Sequence, residues 1–473
     1  MTRESVYFPD CQPYPQEPAL IAPGMQFSYT HLLGRARSIT DRLCDIDCRP
    51  GALLGILVDP GPEYPILLLA AWMNGMITAP LNTRLPDKAL ARQLENLNCT
   101  ELVTDRHPSG LPGVRVHAIN DFTSGSGNDS TPFLLPLYRQ LTLVHTSGST
   151  GAPRAALHTA GNHVYNALGS NRNIPLGPGD RWLLSLPLYH VGGLAILFRC
   201  WLAGAAVAVP GPDQSLANAI RELRPTHLSL VATQLQRLLD DPNLLPDLQN
   251  TKAILLGGSA IPEALIRRAH EAGLPIHTSY GSTEMASQIT TTAPGADIET
   301  LLTSGVPLPY REIMIADSGE IRVRGKTLFS GYVTGNHTEL PVDKDGWLPT
   351  GDTGTIGTDG SLRVTGRLDD MFISGGENIQ PAEIERALER IPGVERAIVV
   401  AVPHPEFGHR PVAFVNMTGN RAIPEQRLRN ELAARLEKYK IPDRFLPWPA
   451  NQDPEAMKID RRGMAELAIK LIK

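Results

Sequence analysis

The chain predicts an α/β protein in three successive parts: a largely parallel sheet region, an antiparallel barrel-like piece, and a small α+β domain at the end. Three observations carry this reading. Short aliphatic and β-branched runs alternate with helical patterns through the first three-quarters of the chain, as in a parallel sheet with crossover helices. From about Glu320 the apolar period falls to two, with Gly, Asp and Pro turns between the runs, which suits antiparallel strands. Beyond about Gly366 a helix, two strands and a second helix follow in close order.

Taken in chain order, residues 53–58 read as a buried strand and 63–73 as a helix. Residues 206–209, 228–231 and 253–256 read as further strands, with helices at 215–223 and 262–272. Residues 320–324 and 361–364 alternate Ile or Leu and Val with Arg or Ser, the mark of strands with one wet face. The segment 381–390 starts with Pro381, which is suited to a first helical turn, and places Ile384, Ala387 and Leu388 on one face. Residues 394–402 and 412–415 read as strands, 424–438 as a helix, and the tail around Lys458 as polar. Residues 122–132 form a Ser/Gly-rich loop. The apolar stretches 65–81 and 182–210 are interrupted by Asn74 and Gly75, and by Pro187, His190 and Arg199. Neither supplies the roughly 20 uninterrupted apolar residues of a spanning helix, so both are read as core.

At 473 residues the chain has room for two or three domains. An apolar fraction of 42% supports a substantial core, and a net charge of −5 argues against broad capture of nucleic acid or anionic membrane. The five cysteines are scattered, and Cys44 and Cys48 lack a second pair at zinc-ligand spacing. With no charged-then-apolar leader in residues 1–20, the chain reads as a cytoplasmic protein with reduced thiols.

Four segments carry chemistry. In the first, an apolar run enters Thr146-Ser147-Gly148-Ser149-Thr150-Gly151, followed by Ala152, Pro153 and Arg154. Its hydroxyls and backbone amides can donate to phosphate oxygens, and its glycines allow close approach. The Gly-Lys-Ser/Thr ending of a P-loop is absent. The second is Tyr280-Gly281-Ser282-Thr283-Glu284, which combines an aromatic for a purine face with a carboxylate suited to Mg²⁺; it also fits a turn with a capping box. The third, Thr350-Gly351-Asp352, places a carboxylate that suits ribose hydroxyls or simply a tight turn. The fourth, Gly366-Arg367-Leu368-Asp369-Asp370 through Gly375-Gly376, has the charge and glycine content of a hinge, and equally of an ordinary polar linker.

In this order and at these separations the four segments resemble the signature motifs of the adenylate-forming superfamily of acyl-CoA synthetases, luciferases and peptide-synthetase adenylation domains. The resemblance runs from about residue 27 to 462. It implies a large N-terminal domain (1–367) of two α/β sheet subdomains plus a distorted β-barrel, and a small mobile α+β C-terminal domain (368–473). It also implies ATP, Mg²⁺ and coenzyme A as reactants or cofactors. By resemblance, Thr146, Ser147, Gly148, Ser149, Thr150, Gly151 and Arg154 hold phosphates, and Tyr280 with Gly281 packs on adenine. Thr283 meets the α-phosphate, Glu284 binds Mg²⁺, Asp352 and Arg367 hold the ribose, and Asp369 is the hinge. Lys458 matches the lysine that bridges carboxylate and α-phosphate, although Ala456-Met457 replaces the usual Ser-Gly before it. Arg154 stands where the family more often has lysine.

His190, in Leu188-Tyr189-His190, matches an aromatic-or-His position that lines the acyl pocket and gates it; the alternative is a satisfied core histidine. The adjacent Gly192-Gly193 is read as room for a ligand. The stretches 187–199 and 280–289 most resemble o-succinylbenzoate–CoA ligases of menaquinone and phylloquinone biosynthesis. That substrate carries a second carboxylate. Arg199, in a strongly apolar helical stretch, requires an anionic partner, either that carboxylate or an internal Asp or Glu. Gly258 and Ser259 match a pocket wall. Rival readings are a ligase for another aromatic or medium-chain acid, an adenylation enzyme that loads a carrier protein, and a nucleotide-binding regulator without catalysis. The sequence leaves a homo-oligomer open.

Overall fold

The aliphatic runs near residues 53, 77 and 101 form the parallel centre of the first sheet in a computed structural model, which describes residues 4–9, 14–45, 49–123, 131, 133–146, 154–420, 423–450, 452 and 460–472. Eight strands follow the order His337–Glu339, Gly331–Thr334, Arg154–Thr159, Gln140–Thr146, Ile77–Pro80, Leu53–Leu57, Glu101–Thr104, Arg115–Ala118. The central strands are buried along almost their whole length, as parallel strands covered on both faces must be. The helix Glu63–Met73 lies where expected; Ile66, Leu67, Leu68, Leu69 and Trp72 are all fully buried, so it has no wet face.

The second sheet has nine strands, with a parallel centre of Ile276–Ser282, Ala253–Leu256, His227–Leu230, Arg181–Leu183, Ala206–Ala208 and Pro18–Ala22. Phe8, Trp72, Phe198 and Trp201 pack with ring centroids 4.9–6.2 Å apart and join the helix Glu63–Met73 to the helix Val191–Ala203. The apolar stretch 182–210 is therefore strand, helix and strand of the core. No helix among the described residues is long and apolar enough to cross a membrane.

The period-two segments become an antiparallel four-stranded sheet: Arg311–Ile315, Glu320–Gly325, Leu348–Ile356 and Leu362–Arg367. Asp352, read as a possible turn former, is instead within a strand and directly opposite Arg367. The last sheet pairs Glu377–Ile379, Phe372–Ser374, Gly408–Met417 and Val394–His404, with Arg444–Pro447 beside Gly408–Met417. The helix expected at 424–438 stops at Ala433, because its buried stripe ends at Leu432 and Lys440 turns back to pair with Glu383 at 2.8 Å. A helix at Arg461–Ile472 was not expected. Only Met464 and Ala468 of it are buried, too thin a stripe to show as periodicity.

Contacts tie the helix Pro381–Glu389 and its flanks to the preceding sheets. Arg390 Nε donates to Glu263 at 2.7 Å, Gln380 Nε2 to Thr353 Oγ1 and to the Arg367 carbonyl at 2.9 Å each, and Arg386 to the Thr365 carbonyl at 2.9 Å. At the end of that helix, burial pushes the half-buried Glu389 carboxyl up to about 7 from an ordinary 4.5, although the Ala397 amide donates to it. A carboxyl with a raised folded pKa binds more protons folded than unfolded between those two values, so stability falls as pH rises from about 4.5 to 7. Glu389→Gln is expected to remove that fall, on the order of 2 kcal/mol. Urea denaturation of the full chain at pH 4.5 and 8 checks this; equal pH dependence in the two proteins would refute it.

Candidate active site

Strand pairing brings the first segment to the second. Gln140–Thr146 and Arg154–Thr159 form a hairpin in which Thr146 and Arg154 stand directly opposite each other, and the Thr146 hydroxyl donates to the Arg154 carbonyl at 3.3 Å. The two ends of the Ser/Gly loop are thus fixed side by side. Ser147, Gly148, Ser149, Thr150 and Gly151 lie outside the described residues. Arg154 then reaches over the Tyr332 ring, 5.2 Å from its centroid, and the Tyr332 hydroxyl donates to Glu284 Oε1 at 2.6 Å.

Thr283 and Glu284 sit on a short 3₁₀ turn, Thr283–Met285, directly after the strand Ile276–Ser282. Ser282 makes no side-chain cap, so the capping-box alternative does not hold. Two further bonds grip the turn. His158 Nε2–H donates to the Thr283 carbonyl at 2.7 Å, and the Phe329 amide donates to the Glu284 carbonyl at 2.8 Å. Burial lowers the His158 pKa to about 4, so it is a neutral donor at working pH. The turn exits through Ala286 and Ser287 at φ +55° and +128°, conformations that cost non-glycine residues energy and that cluster at functional sites. Gly281 has no room for a Cβ, because the Ser287 carbonyl already occupies that space.

Glu284 is half-buried, with Oε1 engaged by Tyr332 and Oε2 accepting no hydrogen bond among the described residues. A single hard oxygen donor of this kind fits Mg²⁺, which takes one or two carboxylates and fills its octahedron with phosphate oxygens and water. No group of three or more His, Cys, Asp or Glu that could cage a metal occurs among the described residues. Cys44, Cys99 and Cys200 are free thiols, and Cys11 and Cys48 lie outside the described residues.

Behind the turn, the Tyr280 hydroxyl donates to Asp352 Oδ2 at 2.6 Å, and Arg367 Nη1 donates to Asp352 Oδ1 at 3.0 Å. Burial, and after it the Asp352 carboxylate, raise the Tyr280 pKa well above the usual phenol range and keep it a donor. Arg367 Nε also reaches Asp369 at 3.0 Å, so one guanidinium joins the third segment to the fourth. Gly351, at φ +71°, leaves that guanidinium its place; a Cβ there would lie 2.8 Å from Arg367 Nη2.

Gly258 and Ser259 follow the strand Ala253–Leu256, which runs parallel to the strand Ile276–Ser282 that carries Tyr280. The Ser279 hydroxyl donates to the Leu256 carbonyl at 2.8 Å and holds the two strand ends together. Ser259 is exposed, with one weak bond to the Ala260 carbonyl at 3.4 Å.

His190 caps no amide. It stands exposed at the start of the helix Val191–Ala203, its ring edge-on to Tyr189 at 4.6 Å. That removes the core-histidine alternative. Gly192-Gly193 does not leave room for a ligand as expected: the place of a Gly193 Cβ is taken by the Pro187 carbonyl, and Leu186 closes on Gly192, so the protein itself uses this space.

Arg199 is 1% exposed. Its Nη2 donates to Gln288 Oε1 at 2.6 Å and to Ser287 Oγ at 3.3 Å, and its guanidinium lies 5.0 Å from the Trp182 ring centroid. Among the described residues it pairs with no Asp or Glu, and its buried Nε–H has no acceptor. Burial lowers its pKa to about 10, which leaves it charged. Ser287 is opposite Ser282 in the strand pairing, which puts this unpaired charge one turn from Thr283.

Lys458 lies outside the described residues. Arg461, three residues on, is anchored: it pairs with Glu385, donates to the Val399 carbonyl at 2.5 Å, and reaches Asp370 at 3.1 Å, next to Asp369. The sequence reading missed Tyr332, His158, Gln288 and Arg461. No local pattern marks them, since each acts on a residue far along the chain.

A profile described as AMP-binding enzyme matches residues 8–333, and one described as AMP-binding enzyme C-terminal domain matches 383–451. The 2-succinylbenzoate–CoA ligase of Bacillus pumilus is 31% identical, covering 96% of each chain. The o-succinylbenzoate CoA synthetase of Bacillus subtilis in complex with its acyl-adenylate intermediate superposes with a TM-score of 0.87 at 29% identity, covering 98% of each chain. The same enzyme in complex with ATP and magnesium ion superposes with a TM-score of 0.85 at 29% identity, covering 96% of this chain and 97% of that one. With most of its length matched by that profile and nearly all of it by these relatives, the chain belongs to the AMP-binding enzyme family, the adenylate-forming superfamily that its four motifs resemble.

Proposed function

We propose that this chain is an ATP-dependent acid–CoA ligase that forms an acyl-AMP and passes the acyl group to coenzyme A, with o-succinylbenzoate as the acid. The observation that carries the reading is the buried Arg199, a charge without an acidic partner among the described residues and one strand pair from Thr283, in a family whose relatives named above are ligases and synthetases for that dicarboxylic acid.

In the first half-reaction a carboxylate oxygen attacks the α-phosphorus, and the bond to the β-bridging oxygen breaks as pyrophosphate leaves. In the second, the coenzyme A sulfur attacks the acyl carbon and AMP leaves. Charge moves among oxygens in both steps, so positioning and electrostatic stabilisation supply most of the catalysis. Residues 146–151 and Arg154 hold the β- and γ-phosphates. Thr283 donates to the α-phosphate, Tyr280 packs on adenine beside Gly281, and Asp352 with Arg367 takes the ribose. Lys458 bridges the carboxylate and α-phosphate oxygens. Glu284 would hold Mg²⁺, which when bound neutralises phosphate charge. His190, Gly258 and Ser259 line the acyl pocket, and Arg199 holds the carboxylate that does not react. A large domain through 367 and a C-terminal domain from 368, mobile about Asp369, complete the reading.

Purified enzyme with ATP, Mg²⁺ and coenzyme A, offered a panel of acids, tests it. Pyrophosphate release and thioester formation are expected to show kcat/KM for o-succinylbenzoate at least about 100-fold above that for benzoate or a medium-chain acid, as loss of a charged contact implies. Preference for a monocarboxylate would overturn the substrate. Acyl-AMP formed without transfer to coenzyme A would overturn the ligase.

A further inference from the structure

Tyr332 is joined to Glu284 from two sides. Its strand, Gly331–Thr334, pairs with Arg154–Thr159, Ala156 opposite Tyr332, so its position is set by the strand that leaves the phosphate loop. Its hydroxyl bonds Glu284 Oε1 while Phe329, on whose ring Tyr332 packs edge-on at 4.8 Å, bonds the Glu284 main chain. Arg154 covers the outer face of the ring. A carboxylate with one oxygen held by a short charge-assisted bond has fewer orientations open to it, which limits where its second oxygen can point. Hard-cation ligands depend on such outer partners, whose loss typically costs 10–100-fold in metal affinity.

We propose that Tyr332 is a positioning residue for the divalent cation: its hydroxyl holds Glu284 so that Oε2 faces a Mg²⁺ carried on the nucleotide. This rests on Glu284 as the metal ligand. Arg154 closes the chain of contacts from loop to ligand, which couples the grip on the phosphates to the orientation of the carboxylate.

The test uses the full-length protein with ATP and Mn²⁺ as probe, the bound ion followed by electron paramagnetic resonance. Tyr332→Phe keeps the ring, its packing and the Arg154 contact, and removes one hydroxyl. Mn²⁺ binding to the enzyme–ATP complex is expected to weaken about 10-fold, and the Mg²⁺ concentration for half-maximal pyrophosphate release to rise by the same factor. ATP affinity in chelator and KM for the acid are expected to stay within about twofold. Unchanged Mn²⁺ affinity, or an equal loss of metal-free ATP binding, would overturn the proposal. Glu284→Gln separates the two layers. If it leaves Mn²⁺ affinity intact, the metal-ligand reading fails and the proposal with it; if it weakens Mn²⁺ while Tyr332→Phe does not, only the positioning role fails.

Discussion

Lys458→Ala is expected to slow acid-dependent pyrophosphate release by about 10²–10³ while thioester formation from supplied acyl-AMP continues near its normal rate. One preorganised charge on a developing oxyanion is worth that much, and the family resemblance assigns Lys458 to the adenylation half only. Arg461 makes the assignment mechanically sensible. Through Glu385, Val399 and Asp370 it roots the end of the Lys458 segment on the C-terminal domain and beside Asp369. A rotation at Asp369 would therefore carry the lysine with it. Single-turnover measurement of pyrophosphate and of coenzyme A consumption separates the halves, and equal loss in both would contradict the role.

Arg199→Leu is expected to raise KM for o-succinylbenzoate by about 30-fold or more with KM for ATP nearly unchanged. Removal of a buried charged partner costs about 2–5 kcal/mol in binding, and the guanidinium that bonds Ser287 and Gln288 through their side chains would be lost. Stability is expected to move the other way. Arg199 is a buried cation with no Asp or Glu partner among the described residues, so Arg199→Met, the unbranched apolar side chain nearest its length, is expected to leave the melting temperature level or higher. That opposition makes the experiment decisive. Lower stability with KM raised for both substrates would make Arg199 a structural residue, held for Gln288 and Trp182 rather than for the acid.

The parallel strands near residues 53, 206, 228 and 253 and the helices Glu63–Met73 and Pro381–Glu389 were legible in the sequence, because unbroken aliphatic runs and a clear helical period survive any neighbour, whereas the short parallel strands Ile77–Pro80, Glu101–Thr104 and Arg181–Leu183 were not read. The helix Arg461–Ile472 was not, since its contact with the sheet needs only Met464 and Ala468. The turn reading of Asp352 failed for a related reason: Gly-Asp is a local turn signal, but the strand opposite supplies Arg367 and draws the carboxylate into the ladder. In the site, the residues with an expected ligand could be named from motif order. Those that orient them could not, because His158 and Thr283 are 125 residues apart and meet only through packing.

Sequence alone settled which chemistry the chain can attempt: the hydroxyl-rich loop, the Tyr-Gly-Ser-Thr-Glu run and the ordered spacing of four motifs require no fold to be recognised. It also settled that Arg199 must have a partner, since burial of a charge is written in the apolar residues around it. Tertiary structure alone decided that no described Asp or Glu is that partner, and which side chains aim the carboxylates, because hydrogen bonds of 2.6–2.7 Å between segments far apart in the chain depend on register and sheet order, which short-range patterns do not encode.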